Sequence, residues 1–290
     1  MRNQLLWRSA HAIERALGPQ AARRTARLAG AVEGLSDTGV HRIALRISPR
    51  LARQNPHLVK VSPRWAVDSV RVRRQGLRLE LDLRDNLQAV LYYAGRYEPA
   101  VRRFLLSELR QGDVVLDVGA NIGLHALTAA RRLRKLGGGR VIAFEPAEDC
   151  VAKLLAAADS NNLQVEVIAA ALGEREYYAA LRADSRYDEA DAGVRSLYGD
   201  GAVVQEVRVI RLDDWGRSLD RLDMVKLDVE GSEIAALTGG AQTLRRLRPR
   251  ALLVEDKRSE SSARLHAVLD ELGYRPTGDV LDHNALFRPR

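Results

Sequence analysis

The sequence predicts an α/β protein: a mostly parallel sheet with helices on both faces, preceded by an N-terminal helical segment and a β-hairpin. Three observations carry that prediction. Short apolar runs with little alternation, such as Val114-Val115-Leu116 and Ala251-Leu252-Leu253-Val254, read as strands covered on both sides. Helical stretches separate these runs, the order that parallel strands require. Ahead of them, Leu77-Arg78-Leu79-Glu80-Leu81-Asp82-Leu83 alternates with a period of two, the signature of a hairpin strand.

The elements follow in order. Leu6, Ala10, Ile13 and Leu17 form one helical stripe, interrupted by Gly18-Pro19 and followed by an Ala/Arg-rich stretch to Ala29. Residues 30–63, punctuated by Gly and Pro, read as short helices and loops. The runs 67–72 and 77–83 flank Arg73-Arg74-Gln75-Gly76 as a hairpin. A helix is expected from Glu98 to Leu109. Strand 114–117, helix 124–136, strand 141–144, helix 149–159 and strand 165–170 come next. Later come strand 224–227, a single helix 232–247, strand 251–254 and helix 260–272. Extra strands are expected at 176–181 and 203–210, and Tyr274-Arg275-Pro276 with Ala285-Leu286-Phe287 should form an antiparallel edge.

Charge divides the 290 residues unevenly. Residues 1–75 hold 15 basic and 4 acidic side chains, whereas 76–290 hold 31 and 34. This split predicts a basic helical extension over 1–75, ending in the start of the hairpin, and a main domain over 76–290. It disfavours a uniformly basic nucleic-acid binder. The lone Cys150 excludes an internal disulfide and a multi-cysteine zinc site. No apolar run is long enough to span a membrane and no signal-peptide core is present, so a cytoplasmic location is expected.

Three segments carry chemistry. Asp117-Val118-Gly119-Ala120-Asn121-Ile122-Gly123 joins the first main strand to its helix, where small residues let the backbone approach a ligand and helix N–H groups face it. Its spacing is neither the dinucleotide fingerprint nor a phosphate-binding loop. Glu145, in Phe144-Glu145-Pro146, closes the next strand, where a carboxylate accepts hydrogen bonds from the hydroxyls of an unphosphorylated ribose. Capping of the following helix is the competing role for Glu145. Asp228 and Glu230, in Lys226-Leu227-Asp228-Val229-Glu230-Gly231-Ser232-Glu233, stand at the carboxyl end of a third strand. They could bind an amino group, accept a proton or hold a divalent cation, with helix capping the alternative for Ser232 and Glu233.

With Asn162-Leu163 and Leu212-Asp213-Asp214 between them, these segments give residues 97–287 a pattern that resembles the FkbM-type family of S-adenosylmethionine-dependent methyltransferases. The resemblance implies a Rossmann-like class I methyltransferase domain with a seven-stranded sheet whose last strand is antiparallel. It further implies that Gly119, Asn121 and Gly123 line the methionine end of S-adenosylmethionine, with Asp117 and Ala120 also among the cofactor-binding residues. Glu145 would hold its ribose, Ala170 would lie near its adenine and Tyr97-Glu98 over its mouth, with Pro146 also counted as cofactor-binding. The implied reaction is O-methylation of a hydroxyl on a saccharide or secondary metabolite, with Asp228 or Glu230 as proton acceptor. Asp228 also counts among the cofactor-binding residues.

No resident metal is expected. The competing metal-assisted reading draws Asp228 together with Glu255-Asp256, while Lys226 and Lys257 are placed to neutralise the same carboxylates. The rival functions are an NAD-dependent oxidoreductase, disfavoured by the missing glycine pattern, and a module binding nucleic acid or an acidic partner through the N-terminal arginines. Those arginines lack interleaved aromatics, so nucleic acid is not the expected partner. A small-molecule or glycan acceptor is. The N-terminal stripe is expected to pack on the main domain or on a second copy in a homo-oligomer, ahead of a peripheral membrane contact. His125 is read as a packed side chain rather than a base.

Overall fold

A computed structural model of the chain describes residues 69–183, 195–256 and 261–290. The expected N-terminal helices and Lys257 lie outside the described residues. The chain divides into two compact units, one running up to Gly76 and including Glu80–Tyr97, the other comprising Leu77–Leu79 and Glu98–Arg290.

Strands β1 (Val70–Arg74) and β2 (Leu77–Leu81) form the two-stranded hairpin. The connection is two residues rather than the four expected. Gln75 and Gly76 both take left-handed backbone angles (φ 50° and 84°), the turn whose twist matches that of paired strands. Helix α1 (Asn86–Ala94) was not expected from the sequence. Its signals are the caps: the Asp85 carboxylate accepts the Gln88 N–H, and Gly95 stops the helix at φ 74°.

The second unit opens with α2 (Pro99–Glu108), then β3 (Val114–Val118), α3 (Leu124–Lys135), β4 (Arg140–Phe144), α4 (Glu148–Ser160) and β5 (Glu166–Ile168). The strand expected over 165–170 stops early. Ala170 donates its N–H to the Ile168 carbonyl and turns the chain out of the main sheet into β6 (Ala171–Leu172). With β7 (Tyr177–Arg182) and β8 (Val203–Ile210), β6 makes a separate three-stranded sheet. The short helix α5 (Leu212–Trp215) then leads to β9 (Met224–Leu227).

The single helix expected over 232–247 is two, α6 (Glu233–Gly239) and α7 (Ala241–Leu247). A Cβ on Gly239 would stand 1.8 Å from the Gly173 carbonyl oxygen, so this stretch can pack there only as glycine. Strand β10 (Ala251–Glu255), helix α8 (Ser261–Glu271) and the hairpin β11 (Tyr274–Leu281) and β12 (Asn284–Pro289) complete the chain.

The seven-stranded sheet has the order β11-β12-β10-β9-β3-β4-β5. Only β12 runs against its neighbours, β10 and β11; the pairs from β10 to β5 are parallel. This is the Rossmann-like methyltransferase architecture, with the antiparallel last strand that the sequence implied. One sheet face, bearing Leu116, Phe144, Leu227 and Val254, shares a core with Leu237, Leu244 and Leu269 of α6, α7 and α8. The opposite face turns Val115, Asp117 and Lys226 toward Leu105 of α2 and His125 and Ala129 of α3. Strand order proceeds outward from β3 in one direction and from β9 in the other. Ligands of open α/β sheets sit beyond the carboxyl strand ends at such a switch point. Among the described residues no helix is long and apolar enough to cross a membrane.

Candidate functional site

The three sequence segments meet at the carboxyl ends of β3, β4 and β9. After β3 the backbone turns onto β4: the N–H groups of Gly119 and Ala120 both donate to the Phe144 carbonyl, at 2.9 and 3.0 Å. Gly119 sits at φ 77°, and a Cβ there would fall 1.8 Å from the carbonyl oxygen of Asp228. The turn after β9 thus lies directly against the turn after β3. Gly123, at φ 81°, opens α3 where a Cβ would stand 2.5 Å from Leu154 of α4.

Glu145 is buried at the end of β4. One carboxylate oxygen accepts the Asn121 N–H at 2.7 Å and the other the Ala147 N–H at 2.9 Å. The Ala147 bond precedes α4, which has no side-chain cap, so Glu145 does not cap that helix, and each of its oxygens keeps a second lone pair for a ligand. Burial pushes the Glu145 pKa up to about 7, against the pull of the Ala147 and Asn121 amides. Asn121 itself is left-handed, at φ 51°, and its side chain caps the Ile122 N–H. Pro146 offers its carbonyl to Gln205, and Ala170 is buried at the turn after β5.

A pH dependence follows. The folded pKa of Glu145 lies above its ordinary value of 4.5, so the folded state binds the extra proton. Stability from this group is full below pH 4.5 and is lost as pH rises through 7, on the order of 3 kcal/mol. Urea unfolding of wild type and Glu145→Gln across that range should show this slope in wild type and its loss in the variant.

Asp228 and Glu230 reach the site differently from a simple strand alternation. β9 ends at Leu227, and Glu230 adopts φ 49°, so the chain is no longer extended. The carboxylates converge nonetheless: oxygens of Asp228, Glu230 and Glu255 lie within 4.8 Å of one another. Such a trio could hold a divalent cation. Asp256, also considered from sequence, turns away to Ser262 and to His266, the latter at 3.0 Å. Glu233 accepts the Val229 and Gly231 N–H groups and so caps the turn, whereas the buried Ser232 hydroxyl has no partner among the described residues.

Beneath these turns lies a charged cluster in which the expected Lys226–Asp228 pairing is joined by Glu98, Asp117 and His125. Lys226, 5% exposed, donates to Asp228 at 2.8 Å. Burial pulls its pKa down, but Asp228, Glu98 and Asp117 outweigh burial and raise it. Glu98 does not roof a mouth; it is buried, bonded to His125 Nε2 at 2.6 Å and to the Asn284 amide at 3.2 Å. Burial pushes Glu98 up, yet Lys226 and these two bonds hold it at about 2. His125 is packed in this cluster, as read from the sequence. Asp117 is raised by burial, opposed by Lys226, His125 and the Ala126 amide, and its buried oxygens have no close hydrogen-bond partner among the described residues. It lines, with His125 and Lys226, a cavity of about 10 Å³, room for one water.

Comparison with known proteins identifies the family. The sequence profile of the methyltransferase FkbM domain matches residues 117–276, more than half of the chain. The chain belongs to the FkbM methyltransferase family. This FkbM-domain protein is 32% identical over 196 residues to the AMB antimetabolite synthetase AmbE of Pseudomonas aeruginosa, covering 55% of this chain and 9% of that one. It is 29% identical over 154 residues to the hexuronic acid methyltransferase AglP of Haloferax volcanii, covering 51% of this chain and 59% of the relative. The chain thus spans less than two thirds of either relative. A solved FkbM methyltransferase from Methylobacillus flagellatus is similar at 17% identity and a TM-score of 0.47, over 69% of this chain and 52% of that one.

Proposed function

We propose that the protein is an S-adenosylmethionine-dependent methyltransferase that methylates a hydroxyl oxygen on a saccharide or secondary metabolite. One observation carries the reading: the buried Glu145 carboxylate, bonded to the Asn121 amide, stands beside a glycine cradle at the switch point of the sheet. A carboxylate there fits a ribose diol and repels a phosphorylated one. The residues present suit the cofactor. Gly119, Ala120, Asn121 and Gly123 leave backbone room for its methionine end, Glu145 and Pro146 would border its ribose, and Ala170 its adenine. Asp228 would meet its ammonium, and Asp117 would support that end from the buried cluster.

When bound, the cofactor supplies a methyl group on a sulfonium. The protein aligns the acceptor oxygen for in-line attack and takes its proton. Glu230 is assigned the proton, since Lys226 already pairs with Asp228. The relatives named for an antimetabolite synthetase and a hexuronic acid methyltransferase support a metabolite or saccharide acceptor. Exposed Tyr198, beside the Ser196 that bonds the Glu230 carbonyl, offers an aromatic face to such a ring.

Calorimetry with S-adenosylhomocysteine and NAD tests the cofactor; binding of NAD alone would instead favour the oxidoreductase. Isotope-labelled S-adenosylmethionine with neutral sugars and uronic acids, read by mass spectrometry, tests the acceptor class. Glu230→Gln should lower kcat about 10²- to 10⁴-fold with S-adenosylhomocysteine affinity kept. Asp228→Asn should weaken that affinity. Wild-type turnover in both variants would remove these roles.

A further inference from the structure

The two banks of the cofactor edge, the Glu145–Asp149 end of β4 and the Asp228–Gly231 turn after β9, are both gripped by residues 195–205. On the first bank, Arg195 donates to both oxygens of Asp149, at 2.8 and 3.0 Å. The Gln205 side chain donates to the Pro146 carbonyl and accepts the Glu148 N–H. On the second bank, the Ser196 hydroxyl donates to the Glu230 carbonyl at 2.7 Å while accepting the Tyr198 N–H at 3.1 Å.

Ser196 is well placed to bear load. Its own N–H and carbonyl exchange two 2.9 Å bonds with Arg182, which ties it to the end of β7. Glu230 is a non-glycine residue at φ 49°, a conformation that persists only where surrounding contacts impose it. Displacing that turn disturbs the cofactor loop, because no space separates the Asp228 carbonyl from Gly119.

We propose that Ser196 is a positioning residue: its hydroxyl holds the Glu230 turn in the shape that seats the cofactor loop, and the 195–205 arm clamps both banks. This rests on the cofactor reading above.

The test is the rate at which S-adenosylhomocysteine leaves the intact protein, measured by stopped-flow displacement. Ser196→Ala should release it about five- to tenfold faster, the effect of one lost hydrogen bond. Ser196→Thr should restore the wild-type rate. Ser107→Ala, whose hydroxyl bonds the Phe104 carbonyl on α2, should not change it. If Ser196→Ala does not fold, Ser196→Thr against Ser196→Val makes the same comparison, since the two are isosteric and a methyl replaces the hydroxyl. Equal release from the hydroxyl-bearing and hydroxyl-lacking variants overturns the proposal. Failure of the wild type itself to bind the nucleoside overturns the cofactor reading, and this inference with it.

Discussion

Lys226→Met should destabilise the protein by about 3–5 kcal/mol, the largest loss expected from a single substitution in the buried cluster. Lys226 is 5% exposed and is the cation facing Asp228 at 2.8 Å. Glu98 and Asp117 also depend on its charge. Methionine fills much of the space but leaves these carboxylates in a low-dielectric interior without that compensation. The deficit should be larger at pH 7 than at pH 5. Wild-type Glu98, held at about 2, contributes stability above its unfolded value of 4.5 and loses it only as pH falls through 2. Without Lys226 it takes a proton more readily, and the strain eases as pH drops. Urea unfolding at both pH values measures this. Equal stability of variant and wild type at pH 7 would refute the compensating role of Lys226.

Gly119→Ala should cost about 3 kcal/mol or more and bring S-adenosylhomocysteine binding below detection. The added Cβ meets the Asp228 carbonyl oxygen at 1.8 Å and its carbon at 2.9 Å. These are backbone atoms, so neither can rotate aside, and φ 77° adds a left-handed penalty. Gly231→Ala separates the two effects. It too lies at positive φ, 99°, but nothing stands within 4 Å of its added Cβ. Backbone strain then acts without collision, and the expected cost is about 1–2 kcal/mol. Unfolding and calorimetry on the two variants should rank them in that order; a reversed order would deny the close approach at Gly119.

Much of the site could be read before any tertiary information. The glycines at 119 and 123, the acid closing β4 and the acids after β9 announce themselves through local patterns: a strand, a turn of small residues, a helix. Their approach follows from parallel-sheet topology alone, which places the ends of β3, β4 and β9 on one edge. The resemblance then named the family that the profile match over 117–276 also shows. Where reading failed, a distant contact is present. Gly239, which ends α6, packs against the Gly173 carbonyl, more than sixty residues upstream. After β5 the chain leaves the main sheet, and β6 pairs with β8 instead. Helix α1 went unseen although its caps, Asp85 and Gly95, were visible, because its nine residues carry too short an apolar period.

Taken alone, the chain determined its class of fold, the three turns at the carboxyl strand ends and the residues on them, since strand periodicity, turn chemistry and caps act over a few neighbours. Tertiary structure decided what those residues face. The sheet register sets Asp117 beside Lys226. The β11–β12 hairpin carries Asn284 to Glu98, and the arm ahead of β8 brings Ser196 to Glu230. Such pairings join groups from 34 to 186 residues apart. They depend on the packing of whole elements, and no local pattern of side chains encodes that.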